Sequence, residues 1–182
     1  MGRFDGKVVF VTGGARGQGR QHALAFAEEG ADIAFCDIAS QVETVPYKMS
    51  TEDQLEETVR LVEDLDRRCV GLKADCRDTR QVNEAVETAV AELGRIDVLL
   101  ANHGILSLGP VVEMSDEQWN DVLDTDLTGV QGDAGRPAAH APPELRADRG
   151  DGVDGRPHRA ADGGALLRGQ VGRDRAGQVG RP

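Results

Sequence analysis

The stretch KVVFVTGGARGQGRQHALAFAEEGADIAFCD, residues 7–37, decides the fold. Its opening apolar run stops at a cluster of glycines, which is typical of a strand buried on both faces of a sheet. Residues 18–29 then place alanine and leucine at helical spacing and end at Gly30, which predicts a helix with a left-handed cap. A second apolar run follows and ends at Asp37. The segment therefore predicts a strand–helix–strand unit of about 30 residues.

Further strand and helix patterns continue the alternation. The connection at 38–49 is longer than usual for such folds, and two capping boxes compete for the helix after it, Ser50 with Asp53 and Thr51 with Gln54. The later predicted elements are a strand at 70–74, a helix from Asp78 to Gly94, a strand at 96–101 and a helix that starts at a Ser115/Gln118 box. The alternation predicts an α/β fold, a Rossmann-like doubly wound parallel sheet, truncated after its fourth strand.

Composition narrows the class of protein. The chain has 182 residues and 39% hydrophobic content, which suits one domain. It contains no run of about 18 apolar residues and no apolar signal-peptide core, so we expect a cytoplasmic protein that neither spans nor crosses a membrane. Cys36, Cys69 and Cys76 lack the spacing of a disulfide framework or a metal site, so buried or half-buried thiols and no metal are expected. A net charge of −11 argues against a nucleic-acid partner.

The glycine cluster carries the first chemical signal. Gly13, Gly17 and Gly19 let the backbone turn tightly and approach a pyrophosphate, which the N-terminus of the next helix receives through its N–H groups and dipole. Asp37 follows at the end of the second predicted strand, where a carboxylate accepts ribose hydroxyls. That carboxylate would repel a 2′-phosphate, which favours NAD over NADP. Arg16 could instead pair with such a phosphate, or lie solvated in the loop.

With these motifs in place, residues 1–130 resemble the N-terminal half of a short-chain dehydrogenase/reductase. Thr12 and the three glycines match the family's T-G-x3-G-x-G, Asp75 matches its adenine-contacting acid, and A-N-H-G at 101–104 stands where the family has N-N-A-G. The resemblance implies an NAD site. The implied cofactor-binding residues are Thr12, Gly13, Arg16, Gly17, Gln18, Gly19, Asp37, Ile38, Asp75, Cys76, Asn102, His103 and Gly104.

An insertion points to one branch of this family. The stretch PYKMSTEDQLEETVRLVEDLDRR, residues 46–68, is similar to the carveol-dehydrogenase-like branch associated with mycofactocin. Members of that branch hold NAD tightly and oxidise small, often cyclic, alcohols. The resemblance therefore implies NAD, a small alcohol or carbonyl substrate and a homo-oligomer, although the helices that usually form the family's interface would be missing here.

The family's catalytic set is not matched. An Asn in its proton relay corresponds here to Asp126, which loses the donor half of the amide and adds charge, and could equally be a solvated helix acid. After Asp126 the chain has no Ser, Tyr or Lys for the family's Ser and Tyr-x3-Lys, and Tyr47-Lys48 has neither the spacing nor the place. Tyr47 is expected on the loop surface or in a pocket wall. No catalytic residue is therefore predicted, and we expect an inactive chain or, alternatively, a non-catalytic NAD-binding remnant or regulatory module.

The composition changes abruptly near Val130. Residues 131–182 hold 11 of the 23 Gly and 5 of the 7 Pro, with only six Leu or Val and no other large apolar residue, so we expect them to be disordered. The domain division is thus 1–130, the dinucleotide-binding part, and 131–182, a low-complexity tail.

The tail's ten residue types all have codons that begin with G or C, which favours a frameshift in a GC-rich gene. A one-base shift permits a serine at Val153, a tyrosine thirteen positions later at Leu166 and a lysine at Gln170. These spacings are those of the family's catalytic set. The alternative is a genuine linker or interaction arm rich in Gly, Ala and Arg.

Overall fold

A four-stranded parallel sheet lies at the centre of the computed structural model, which describes residues 2–130. The strands are β1 (Val8–Thr12), β2 (Asp32–Asp37), β3 (Cys69–Lys73) and β4 (Val98–Leu100). Their order is β3-β2-β1-β4, with Val8 opposite Asp32 and Phe10 opposite Leu99 in the register. The predictions of disorder and of an out-of-frame origin concern 131–182 and lie outside the described residues.

Helices connect the strands and continue after the last one. They are α1 (Gly17–Glu28), α2 (Glu52–Glu63), α3 (Thr79–Leu93) and α4 (Asp116–Leu123), with a 3-10 turn at Val111–Glu113 and a π-helical turn at Asp124–Gly129. The strand predicted at 96–101 is shorter than expected. The helix predicted from Ser115 is α-helical only to Leu123 and continues as the π-helical turn.

The two inner strands, β1 and β2, are buried on both faces, whereas β3 and β4 are half-buried. Val9, Val11, Ile33 and Phe35 pack on one side with side chains of α1 and α2. The intervening residues of the same strands pack on the other side, where Val82 and other side chains of α3 cover them. Helices on both faces of a parallel sheet confirm the doubly wound prediction for residues 2–130, and they place the carboxyl ends of the strands at one edge.

Of the two capping boxes predicted for the helix after residue 49, the structure contains the one formed by Thr51 and Gln54. Thr51 accepts from the Gln54 backbone N–H while the Gln54 side chain accepts from Thr51 N–H, so this box starts α2. Ser50 does not cap the helix, because its hydroxyl donates to the Asp37 carboxylate. The predicted left-handed Gly30 and the Ser115/Gln118 box are both confirmed.

The carboxylate of Asp97 fastens the start of β4 to β1. Its Oδ2 accepts the Val8 N–H at 2.9 Å, and Arg95 and Lys7 form ion pairs with Oδ1. Burial alone would raise the pKa of this carboxyl, but the hydrogen bonds from Val8 and Arg95 and the two positive charges outweigh it, so the pKa lies below its ordinary value of 3.8. Asp97 therefore stabilises the fold in its charged form.

Replacing Asp97 with alanine is expected to lower the free energy of unfolding by about 1–3 kcal/mol, because the Val8 N–H loses its acceptor. A group with a lowered folded pKa stabilises above its unfolded pKa, and that stabilisation disappears as the pH falls through the folded value. Urea denaturation should thus show a wild-type advantage at pH 7 that shrinks below about pH 3.8. Glu43→Ala, an exposed control, should change stability by less than about 0.5 kcal/mol.

Candidate cofactor site

A cleft opens at the carboxyl ends of the strands, next to the point where β1 separates β2 from β4. In doubly wound sheets this is where nucleotide ligands bind. Twelve of the thirteen predicted cofactor-binding residues line the cleft; Thr12 is the exception and lies fully buried beneath it. The structure therefore brings the predicted set together, while its contact with a cofactor stays a prediction.

The glycine loop forms one wall through close backbone packing. A Cβ atom on Gly19 would lie 1.9 Å from the Gly13 carbonyl oxygen, so only glycine fits there. Gly17 has a φ of +56° and nothing within 4 Å of its missing Cβ, on the side that faces the cleft. Arg16 is the N-cap of α1 and provides no side-chain cap. The N-terminus of α1 thus borders the cleft without a side-chain cap on its N–H groups, which suits a pyrophosphate.

Asp37 sits beside this loop with its carboxylate buried. Oδ2 accepts the Ala15 N–H at 2.9 Å, and Oδ1 accepts the Ala39 N–H at 3.2 Å and the hydroxyl of Ser50. The sequence predicts only a ribose acceptor here, but the carboxylate also fixes the glycine loop and both ends of the connection that follows β2. Two carboxylate oxygens offer about four acceptor positions, so one remains for a ribose hydroxyl.

Arg16 is exposed, and its guanidinium donates to the backbone carbonyl of Lys48 at 2.7 Å. The sequence left open whether this side chain is solvated or pairs with a 2′-phosphate. Its bond to Lys48 gives it a structural role, since it ties the glycine loop to the insertion.

Asp75 and Arg77 form the next part of the wall. Burial alone would raise the pKa of the Asp75 carboxyl, but Arg77 donates to it from side chain and backbone and holds the pKa below its usual range. The same guanidinium reaches Asp121 Oδ1 on α4 at 2.5 Å. The charge of Asp75 is therefore neutralised by Arg77, a residue that the sequence analysis missed.

The thiols lie as expected, with Cys36 and Cys76 buried and Cys69 half-buried. The Sγ atoms of Cys36 and Cys76 are 4.0 Å apart behind the cleft wall. Burial raises the pKa of the Cys69 thiol to about 12, so this group stays protonated at neutral pH.

The residues at 38–50, here called the strap, line one side of the cleft. Tyr47 lines the cleft and is 42% exposed, and its hydroxyl accepts the Leu106 N–H at 3.0 Å. Thr44 donates to Asp121 Oδ2 at 2.6 Å, and Val42 packs with Ile105. The strap is thus fastened to the segment after β4 and to α4. Tyr47 is a pocket wall, one of the two places predicted for it.

The segment after β4 completes the cleft. The Asn102 amide donates to the carbonyls of Thr12 and Gly13 at 3.0 and 3.3 Å, which holds the glycine loop against β4. Asp126 is exposed, yet its Oδ1 accepts the Ile105 N–H at 2.9 Å. Asp126 thus ties the π-helical turn to the segment after β4, while its part in a proton relay stays a prediction.

Comparison with known proteins identifies the family. The family model described as short chain dehydrogenase matches residues 7–132. The chain belongs to the short-chain dehydrogenase family. Within it, the chain is 42% identical over 132 residues to a (−)-trans-carveol dehydrogenase of Rhodococcus erythropolis, an alignment that covers 71% of this chain and 47% of the relative. An NAD-dependent oxidoreductase of Mycobacterium tuberculosis is 43% identical over 130 residues, with the same two coverages.

Two solved structures of short-chain dehydrogenases share the fold. A carveol dehydrogenase from Mycobacterium avium in complex with NAD gives a TM-score of 0.74 at 43% identity, covering 77% of this chain and 51% of that one. A short chain dehydrogenase from Mycobacterium paratuberculosis bound to NAD gives 0.72 at 42% identity, with coverages of 76% and 53%. This short-chain dehydrogenase spans about half the length of the relatives it matches.

A metal site and a membrane-spanning helix are both absent from residues 2–130. Residues 2–130 hold no group of three His, Cys, Asp or Glu side chains placed to bind a metal. No helix within the same residues combines the length and apolarity needed to span a bilayer.

Proposed function

We propose that the cleft of residues 2–130 binds NAD, with the N-terminus of α1 holding the pyrophosphate and Asp37 accepting the adenosine ribose. The observation that carries the proposal is the buried Asp37 carboxylate next to the uncapped, glycine-lined start of α1. Ile38, Asp75 and Cys76 border the space for adenine, and 102–104 the space for the nicotinamide end. The NAD complexes among the neighbouring structures support this assignment.

The activity proposed for the intact protein is oxidation of a small alcohol to a carbonyl. Bound NAD would supply the hydride acceptor, and this chain's residues would hold it and exclude water from the cleft. The identity of 42% to a carveol dehydrogenase supports a terpenoid or other cyclic alcohol, and the insertion at 46–68 supports the mycofactocin-associated branch. A homo-oligomer in the cytoplasm, without a nucleic-acid partner, completes the proposal.

The 182-residue polypeptide itself is proposed to bind NAD without turnover. Its sequence after Asp126 offers no Tyr to act as general acid/base and no Lys to lower that group's pKa. The cleft of the described residues does not depend on those groups, because its walls come from the four strand ends, the strap and the π-helical turn. A non-catalytic NAD-binding module is therefore the second candidate function.

The family match ends at residue 132, close to the change of composition at Val130. This coincidence supports a frameshift as the origin of residues 131–182. Sequencing the gene from the codon of Asp126 onward tests it: one superfluous base, or two missing ones, is expected near the codon of Val130. If independent isolates show the same reading frame with no base added or missing, residues 131–182 are a genuine linker or interaction arm instead.

Cofactor preference should follow from Asp37. A 2′-phosphate placed against this carboxylate costs several kcal/mol, so we expect NADP to bind roughly a hundredfold more weakly than NAD. In Asp37→Asn the ratio of the two dissociation constants should fall to about tenfold or less, because the charge is gone. Isothermal titration calorimetry measures both constants. Asp53→Asn, an exposed carboxylate on α2, is the control and should leave the ratio unchanged; equal affinities in the wild type would contradict the role of Asp37.

The strap should slow the release of NAD. Tyr47→Phe removes the acceptor of the Leu106 N–H, which loosens one of the strap's attachments. The dissociation rate of NAD, measured by displacement in a stopped-flow instrument, should rise roughly five- to tenfold, the equivalent of one hydrogen bond. Glu43→Gln, also on the strap, should release NAD at the wild-type rate. An unchanged rate in Tyr47→Phe would show that the strap does not retain the cofactor.

A further inference from the structure

His103 links the end of β1 to the π-helical turn. Its Nδ1 lies 2.7 Å from the hydroxyl oxygen of Thr12 at the end of β1, and its Nε2 lies 3.0 Å from the backbone carbonyl oxygen of Thr125 in the π-helical turn. The family resemblance places alanine, which can make neither bond, at this position. The imidazole therefore adds two contacts that the alanine of the family motif could not make.

The partners of the ring fix its tautomer. A backbone carbonyl only accepts hydrogen bonds, so the Nε2 of His103 must carry the hydrogen that faces Thr125. In the neutral ring Nδ1 is then an acceptor, and the Thr12 hydroxyl donates to it. The oxygen of Thr12 also accepts the Asn102 N–H at 3.1 Å. The hydroxyl lies 3.5 Å from the Leu100 carbonyl oxygen and 2.7 Å from Nδ1, so the ring is the nearer acceptor for its hydrogen.

The bond to Thr125 joins the π-helical turn to the segment after β4. In the opposite direction, the Ile105 N–H donates to Asp126 Oδ1 at 2.9 Å. Close packing adds to them, because a Cβ on Gly129 would lie 2.8 Å from His103 Nε2. The turn is thus held at the cleft from both sides, and its last glycine leaves room for the imidazole.

We propose that His103 is a positioning residue, which through its Nε2–H holds the π-helical turn, and with it Asp126, against the cleft-lining segment 102–105. Thr12 orients the ring from the other side. The consequence for cofactor affinity rests on the proposed NAD site, whereas the positioning itself does not.

The test uses the full 182-residue polypeptide and two isosteric probes. Glutamine at position 103 places an amide donor near Nε2, whereas asparagine places its polar group near Nδ1. Amide hydrogen exchange of the Ile105 N–H should quicken roughly tenfold in His103→Asn and His103→Ala and return close to the wild-type rate in His103→Gln. In wild-type protein, the imidazole nitrogen NMR shifts should show a protonated Nε2 and an unprotonated Nδ1.

Two results would overturn the proposal: an Nδ1-protonated ring, or equal Ile105 exchange in the Gln and Asn variants. The tautomer is measured on the wild-type protein alone, so this measurement tests the proposal even if a variant fails to fold. The dissociation constant for NAD should be largest in His103→Ala and His103→Asn and close to the wild-type value in His103→Gln. A wild type that shows the expected tautomer and exchange but does not bind NAD would refute the proposed function and leave this inference standing.

Discussion

Alanine at Gly19 is expected to raise the dissociation constant for NAD about a hundredfold, the equivalent of losing two charge-assisted hydrogen bonds. The added Cβ would lie 1.9 Å from the Gly13 carbonyl oxygen and 2.8 Å from the Asn102 amide nitrogen. Neither group can yield alone, because Asn102 also donates to the carbonyls of Thr12 and Gly13. The first turn of α1 must therefore move away, and its N–H groups leave the position proposed for the pyrophosphate.

Gly94→Ala is the matched control for this substitution. Unlike Gly19, which lies within α1, Gly94 has a left-handed backbone with a φ of +89°, but nothing lies within 4 Å of its missing Cβ and it caps α3 away from the cleft. This variant should lose about 1 kcal/mol of stability and bind NAD like the wild type. Calorimetric titration and thermal unfolding of both variants separate the two effects. A folded Gly19→Ala protein with wild-type affinity would refute the role of the glycine loop.

The second large effect concerns catalysis. The 182-residue polypeptide should show no alcohol-dependent formation of NADH, while a gene corrected by one base near the codon of Val130 should yield a protein at least about a thousandfold more active. The reason is that the corrected frame permits the serine and the Tyr-x3-Lys set that the sequence after Asp126 lacks. Absorbance at the NADH band, with cyclic secondary alcohols as substrates, measures the rate.

The control for that comparison is a corrected gene in which the restored catalytic tyrosine is changed to phenylalanine. It should fold, bind NAD and lose most of the activity, because the general acid/base is removed. Turnover by the 182-residue polypeptide would contradict the account, since it would require a catalytic group outside the family's set. Activity of the phenylalanine variant equal to that of the corrected protein would do so as well.

Local patterns were sufficient to predict much of the fold. Residues 8–11 of β1 and 33–36 of β2 are apolar at successive positions because both faces of the sheet are covered there, and glycines end α1 and α3 where a left-handed backbone is needed. The cleft-lining set could be predicted for the same reason: in a parallel sheet the residues that follow the strands converge at one edge.

The parts that could not be predicted depend on contacts between residues far apart in the chain. Ser50 was a candidate cap, but its hydroxyl is used by Asp37, thirteen positions earlier. The π-helical turn follows a regular helical pattern in the sequence, and its bonds to His103 and Ile105 span about twenty positions. Arg77 carries no motif, and only its distance to Asp75 and Asp121 shows what it neutralises.

The central claim is that residues 2–130 form an NAD site at the glycine loop, and a two-dimensional NMR titration of the 182-residue polypeptide with NAD tests it most directly. The backbone amides of Gly17, Gln18 and Gly19 should shift in a saturable manner, together with those of Ala39 and His103 across the cleft. The amides of Thr88 and Glu92 on α3, remote from the cleft, should stay in place. Unchanged glycine-loop amides at millimolar NAD would contradict the account.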